Sequence, residues 1–241
     1  MLAGQFSKMV SEKDLSQIPP EILAKIQQVM AAGTDNILEL TAIAGLNLRT
    51  EYSNANMIET DLCAANLVGA QFVKTNLTRA TLINANLTEA NLSNANLTSA
   101  VLISANLTNA NLAGAVLFSA DLTDATLLNA NLRSANLTKA CLTQAKFRRA
   151  DLTHTQLDGA ILRDATLSHA KLAGASLTRA DLSGANLYGA DLTDADLRGA
   201  NLTNADFTGA IVTKTQFGGN VPNLSRDLAR DLRQRGALVA V

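Results

Sequence analysis

The chain has 241 residues, a formal net charge of −1 and only 3% aromatic residues. This balance argues against a general nucleic-acid-binding protein, because phosphate recognition needs a basic surface. No stretch approaches the roughly 18 apolar residues of a membrane span, and no secretory signal is recognisable at the N-terminus. The two cysteines, Cys63 and Cys141, are expected too far apart for a disulfide, which favours a reduced, cytoplasmic setting without membrane partners.

Residues 1–50 are predicted to form an N-terminal helical cap. Pro19 and Pro20 open a helix that ends near Gly33, and a further helix ends at Gly45. Each helix carries an apolar stripe that needs cover. This favours a cap on the region that follows, with a docking domain as the alternative.

Residues 51–219 are dominated by a repeat of five residues. From Met57 to Phe217 there are 33 consecutive units, of which 27 carry Leu at the centre and 29 carry Ala two residues earlier. The residue before the centre is Asn or Asp in 19 units, and such residues tolerate turns and bond to nearby backbone. An architecture built from repeats is therefore expected.

A period of five fits neither regular element. In a helix, leucines five apart turn by roughly 140° each time and leave no apolar face. In a straight strand, an odd period sends consecutive leucines to opposite sides. The pattern closes only if the backbone bends in every repeat and winds into a β-solenoid with Leu on the axis. Alanine fits a second, cramped inward position.

The repeated units resemble those of a known family. Ala85-Asn86-Leu87-Thr88-Glu89 and Ala190-Asp191-Leu192-Thr193-Asp194 are similar to the A(D/N)LXX unit of the pentapeptide-repeat family. The resemblance covers about two thirds of the chain. It implies a mainly β fold, a right-handed quadrilateral β-helix with four repeats to a coil. The repeats would then form about eight coils, each about 4.8 Å high, between an N-terminal and a C-terminal helical cap.

Residues 220–241 are predicted to form a C-terminal helix and tail. Leu224, Leu228 and Leu232 share a helical face, and Asp231 and Arg235 are expected to pair on its exposed side. The tail after Gly236 either lies over the last coil or joins two protomers. Residues 226–239 are similar to the closing helix of cyanobacterial pentapeptide-repeat proteins. This resemblance favours a cap and a monomer, with a dimer through the helix or tail as the alternative.

No catalytic, cofactor-binding or metal-binding residues are predicted. His154 and His169 are expected outward on different faces, without the partners that a zinc site needs. Asp151, His154 and Asp158 suggest acid and base chemistry, but they would lie on a convex surface without a nucleophile. Single glycines such as Gly159 are interpreted as corner residues with positive φ.

Two surface features depart from the repeat and form a candidate partner surface. The first is a basic repeat that contains Lys146, Arg148 and Arg149, with Arg133, Lys139 and Arg163 on neighbouring repeats. Three acidic residues are expected to neutralise part of its charge: Asp151, Asp158 and Asp164. The second is apolar and outward, and begins at Cys63; partner binding and burial beneath the N-terminal helices are both open. The candidate residues are Lys146, Arg148, Arg149, Arg163, Ile83, Ile103 and Phe118.

The favoured function is a non-enzymatic scaffold that binds an unidentified protein in a regulatory or assembly role. A DNA mimic that inhibits a topoisomerase such as gyrase is an alternative, supported by Asp181, Asp191, Asp194, Asp196 and Asp206 but disfavoured by the near-neutral charge. Ice binding is a further alternative. It is suggested by Thr78, Thr98, Thr138 and Thr178, which Phe118 and Asp158 interrupt.

Overall fold

The computed structural model describes residues 52–218 and 224–239. Through residues 52–218 the backbone forms a β-helix. Its isolated β-bridges run from Asn56–Asn76 to Asp196–Gln216, and each joins a residue to the one twenty positions later in a parallel sense. Four repeats therefore make one coil, as the family resemblance implied. The predicted N-terminal cap lies outside the described residues.

The four sides of the coil are numbered here in chain order. Face 1 contains the repeats centred on Met57 and every twentieth residue after it, and faces 2, 3 and 4 begin with the repeats centred on Leu62, Leu67 and Phe72. Faces 1 and 3 are opposite each other, as are faces 2 and 4. About eight coils stacked at about 4.8 Å give a rod about 40 Å long.

The interior is filled by the two inward positions of each repeat. The central Leu or Phe and the preceding Ala are shielded from solvent along the rod. The first described centre is Tyr52, one repeat earlier than Met57, and its ring stacks on Phe72 with centroids 5.0 Å apart. Thr replaces Ala at three of these inward positions, Thr75, Thr155 and Thr215. Each of the three side chains is buried, and its hydroxyl donates to a backbone carbonyl of the coil below.

Each corner is a tight turn with a defined hydrogen-bond pattern. The amide of Ala85 donates to the carbonyl of Leu82 at 3.1 Å, and Asn84 between them has φ 57°. The left-handed position recurs in every repeat, and Gly159, Gly174 and Gly184 occupy it with φ of 63°, 66° and 69°. The interpretation of these glycines as corner residues is thus confirmed.

The Asn or Asp before each centre has a different role from the one expected. Asn76 lies in the β-bridge rather than in the turn, because the turn falls at the two residues after the centre. Its side chain does bond to nearby backbone: Oδ1 accepts from the amide of Thr78 at 3.1 Å and from its hydroxyl at 2.6 Å. Asn and Asp therefore hold the corner from outside, while Leu and Ala fill it from inside.

The C-terminal segment packs on the last coil. Strand β1 is Gln216–Phe217, helix α1 is Arg226–Gln234 and strand β2 is Leu238–Val239. Strand β2 pairs in parallel with β1, so it continues the stack beyond the last repeat. Residues 237–239 thus lie over the last coil, which is one of the two arrangements expected for the tail.

Two details of this segment differ from the prediction. Leu224 lies before the helix, because Ser225 is the N-cap and its side chain accepts from the amide of Leu228. Arg235 pairs with Asp231 at 3.0 Å, but it is not on an exposed side. Its Nη1 donates to the carbonyls of Phe207 at 3.0 Å and Ala210 at 3.3 Å, which lie at a corner of the last coil.

Candidate interaction surfaces

The described residues show no arrangement for metal-dependent chemistry. Within 52–218 and 224–239, no group of three or more His, Cys, Asp or Glu residues could hold a metal ion. His154 and His169 are exposed and lie on faces 4 and 3, so the prediction that they point outward on different faces is confirmed. No helix in these ranges is both long enough and apolar enough to cross a membrane.

The suggested acid and base residues are engaged in other contacts. Asp151 accepts from Arg133 at 3.4 Å and from Thr153, whereas Asp158 lies on face 1 and accepts from the hydroxyls of Ser176 and Thr178. A groove at the C-terminal end is lined by residues such as Phe217, Arg233 and Val239, and none of its described lining residues is His, Cys, Asp or Glu.

Three exposed cations stand in one repeat of face 3. Lys146, Arg148 and Arg149 surround the buried centre Phe147, and all three side chains are exposed. None of them lies within ion-pair distance of a carboxylate of the described residues. This repeat therefore places three positive charges close together on one side of the rod.

The neighbouring cations lie on the other faces and have partners. Arg133 on face 4 pairs with Asp151 at 3.4 Å, and Arg163 on face 2 pairs with Asp181 at 2.5 Å. Lys139 on face 1 lies 5.8 Å from the centroid of the Phe118 ring. On face 3 the basic repeat therefore consists of Lys146, Arg148 and Arg149 alone, and the neighbouring cations do not extend it.

The paired carboxyl groups are held in the ionised form. Partial burial opposes ionisation of Asp181, but hydrogen bonds from Arg163 and Ser183 lower its pKa below the ordinary value. The same balance of burial against bonds from Thr153 and Arg133 lowers the pKa of Asp151. Asp151 was expected to neutralise part of the basic repeat, but it is already paired with Arg133.

The apolar candidates lie away from the basic repeat. Ile83 and Ile103 are half-buried on face 2 above the exposed Cys63, whereas Phe118 is 37% exposed on face 1. Both cysteines are free thiols. Because Phe118 and Arg148 are on opposite sides of the rod, the predicted residues do not form one flat surface.

Face 3 carries two further ring side chains, of which Tyr188 was missed by the sequence reasoning and His169 was predicted outward but not assigned to this surface. His169 stands one coil above Arg149, and Tyr188 stands two coils above Arg148. The two rings meet edge to face with centroids 5.4 Å apart, and Tyr188 is 48% exposed. Tyr188 follows Arg148 by forty residues, which is two steps of the twenty-residue coil. This spacing is visible in the sequence and could have revealed the pairing of Tyr188 with the row of Arg148.

Comparison with known proteins agrees with this architecture. The profile of the Pentapeptide repeats family matches in eight copies between residues 53 and 219. The matched regions overlap and together cover residues 53–219 without a gap. The comparison with curated protein sequences finds no match.

Solved structures of similar proteins include two from cyanobacteria. HetL from Nostoc sp. strain PCC 7120, a pentapeptide repeat protein involved in heterocyst differentiation regulation, is 31% identical. The match covers 84% of this chain and 98% of HetL with a TM-score of 0.43. The pentapeptide repeat protein alr5209 from Nostoc PCC 7120 is 32% identical over 44% of this chain and 84% of its own, with a TM-score of 0.39.

A more distant structure shares the fold. QnrB1, a plasmid-mediated fluoroquinolone resistance protein, is 20% identical over 78% of this chain and 92% of its own, with a TM-score of 0.51. The fold of these proteins is a right-handed β-helical solenoid. With its profile matches spanning the whole described solenoid, the chain belongs to the pentapeptide-repeat family.

Proposed function

We propose that the protein is a non-enzymatic scaffold that binds another protein through the faces of its solenoid. The observation that carries this proposal is the exposure of Arg148, Phe118 and Tyr188 at the outward position where Thr recurs in most coils. Large side chains at this position add nothing to the interior. They give otherwise similar coils distinct outer surfaces, which is how solenoid proteins recognise partners.

A regulatory role fits this scaffold. The proposal draws on HetL, which is 31% identical over 84% of the chain and is described as involved in heterocyst differentiation regulation. A rigid rod regulates by holding a partner in place, since it needs no reaction of its own. We further propose that the protein is a cytoplasmic monomer, with dimerisation through α1 or the tail as the alternative that light scattering tests.

The test of the scaffold is affinity capture from the native organism, followed by binding of the purified partner. Phe118→Asp changes face 1, and Arg148→Glu/Arg149→Glu changes face 3. Asn96→Asp, on face 1, is the control for the face 3 variant, because it adds one negative charge on the opposite side at a position where Asp is common. One of the first two variants should weaken binding at least tenfold, as expected for an interface anchor. Capture of no stoichiometric partner would remove the proposal.

DNA mimicry has little support from the acidic residues. Asp181, Asp196 and Asp206 fall on three different faces, and Asp191 and Asp194 share the fourth, so the five residues form no continuous negative side. Asp181 and Asp196 are also paired with arginines. We expect no inhibition in a supercoiling assay with gyrase.

Ice binding is opposed by the threonine row itself. Thr78 and Thr98 lie on face 1, but their hydroxyls donate to Asn76 and Asn96 of their own repeats. Phe118 and Asp158 fill positions of the same row. A flat hydroxyl array is thus interrupted, and we expect no thermal hysteresis.

A further inference from the structure

Arginines of the solenoid follow a pairing pattern. Arg133 and Arg163 each follow a repeat centre, and each pairs with an Asp eighteen residues later, at 3.4 Å and 2.5 Å. That position is the bridge residue of the same face one coil above. Arg79 and Arg198 pair with Glu59 and Asp196 by other spacings. Four of the seven arginines of residues 52–218 thus have a carboxylate supplied by the rod, whereas Arg148, Arg149 and Arg179 form no ion pair with a described carboxylate.

Arg148 occupies the position of Arg133 and Arg163 but lacks their partner. The residue eighteen positions later is Thr166, which offers a hydroxyl and no charge. Lys146 lies in the bridge row between Thr126 and Thr166. No ion pair with a described carboxylate forms in this repeat, so three like charges stand together.

The coils above the basic repeat add hydrogen-bond donors to the same face. Ser168 and Tyr188 continue the row of Arg148, and His169 continues the row of Arg149. From Thr126 to Gly189, no outward residue of face 3 is acidic. The centres Phe147, Leu167 and Leu187 are buried beneath this face, so only the side chains of the outward positions stand on it. The surface from Lys146 to Tyr188 on face 3 is called the donor face below.

Unpaired like charges repel each other, and an anion supplied by a partner relieves this repulsion and stabilises the complex. The donor face covers three coils, so it extends about 10 Å along the rod. A small cationic area suits a few carboxylates of a protein segment. A nucleic-acid duplex needs phosphate contacts over a longer basic surface, and the acidic Asp164 and Asp151 border the donor face on both sides.

We propose that the donor face, with Arg148 and Arg149 at its base, is the docking site for an acidic segment of the protein partner. This inference rests on the proposed scaffold function and deepens it. The cations attract the carboxylates of the segment, and the hydroxyls of Ser168 and Tyr188 donate to it further along the rod.

The repeat itself supplies a sharp test. Thr166→Asp places a carboxylate at the pairing position for Arg148, in the setting that Asp181, Arg163 and Ser183 already occupy on face 2. The variant keeps every cation but gives Arg148 an internal partner. Asn96→Asp adds the same charge on face 1, where Thr78 stands eighteen residues earlier, and is the matched control.

The probe is a fluorescein-labelled peptide rich in Glu and Asp, with a Gln and Asn peptide of the same length as its control. Binding to the full chain is measured by fluorescence anisotropy. We expect Arg148→Glu/Arg149→Glu to weaken binding about tenfold or more and Thr166→Asp about threefold, with less than about a twofold effect of Asn96→Asp. Circular dichroism of each variant verifies that the coil is intact.

Three outcomes would overturn the inference. These are equal effects of Thr166→Asp and Asn96→Asp, no effect of Arg148→Glu/Arg149→Glu, or tighter binding of a duplex oligonucleotide than of the acidic peptide. A captured partner that binds Arg148→Glu/Arg149→Glu as well as the natural chain refutes the donor face and leaves the scaffold standing. Peptide binding that depends on Arg148 without any capturable partner refutes the scaffold instead.

Discussion

Replacement of Leu232 tests how the C-terminal segment is attached. Leu232 is the buried residue of α1 and is fully shielded, and the helix has only nine residues. A helix of this length is not stable by itself in water. The attachment of α1 and β2 to the last coil therefore depends on this side chain and on the hydrogen bonds of Arg235.

The cost of Leu232→Ala follows from the atoms removed. Three carbons at about 0.8 kcal/mol each, with a cavity contribution, give about 3 kcal/mol. Applied to the docking equilibrium of the segment, this raises the open fraction roughly 150-fold. Repeats far from the end contact only neighbouring coils, so their stability should not change.

Hydrogen exchange measured by mass spectrometry separates these regions. The amide of Leu238 donates to Thr215 and that of Lys214 to Gly236, both at 2.8 Å, so both should lose protection in Leu232→Ala. The amide of Leu137, bonded to Gln156 at 2.7 Å, should be unchanged. Leu228→Ala is the control, since Leu228 is only partly buried.

Equal loss of protection at Leu137 and Lys214 would show that the rod opens as one unit, which contradicts the reasoning. Unchanged protection at Leu238 would show that Leu232 does not hold the segment.

Three further predictions concern the solenoid. Thr155→Val removes the 2.9 Å bond to the Leu132 carbonyl and should cost about 1 kcal/mol in urea unfolding, whereas an unchanged midpoint would mean that the bond adds no stability. Gly174→Ala places a Cβ 2.4 Å from Nδ1 of His154 at φ 66° and should cost more than about 1 kcal/mol. Adding His154→Ala to Gly174→Ala should restore part of the lost stability. If the free-energy changes of the two substitutions were strictly additive, the clash between the two side chains would be excluded. Because the pKa of Asp181 is lowered in the fold by bonds that outweigh burial, its contribution is complete above its unfolded value near 3.8 and is lost as the pH falls through the lower folded value. Acid unfolding of Asp181→Asn should therefore depend less on pH, and identical pH profiles would contradict this.

The inside of the rod was predictable because packing alone determines it. A five-residue period admits only a bend in each repeat, which places Leu62 and Ala65 inward. The number of repeats in a coil was not predictable in this way. It depends on the left-handed backbone at residues such as Asn84, which the alternation of side chains does not determine.

The outside was predictable only in part. Exposure of Lys146, Arg148 and Arg149 followed from their outward positions. The pairing of Arg163 with Asp181 did not, because a spacing of eighteen residues reflects the offset between neighbouring coils. Tyr52 was missed since it lacks both Leu at the centre and Ala before it, although its ring performs the same packing role.

The constant step of twenty residues between bridged positions also restricts how such a chain can change length. If a whole coil of twenty residues is lost, every later residue stays in the same row of the same face. Each face then keeps its order of side chains, and the rod is only shorter. Loss of one repeat moves every later residue a quarter of a turn around the axis. Arg148 would then stand over the row of Ile103 instead of the row of Thr108, although the buried ladder would be unchanged. Insertion or deletion of a single repeat therefore changes which side chains share a face, while the packing of the core stays almost the same.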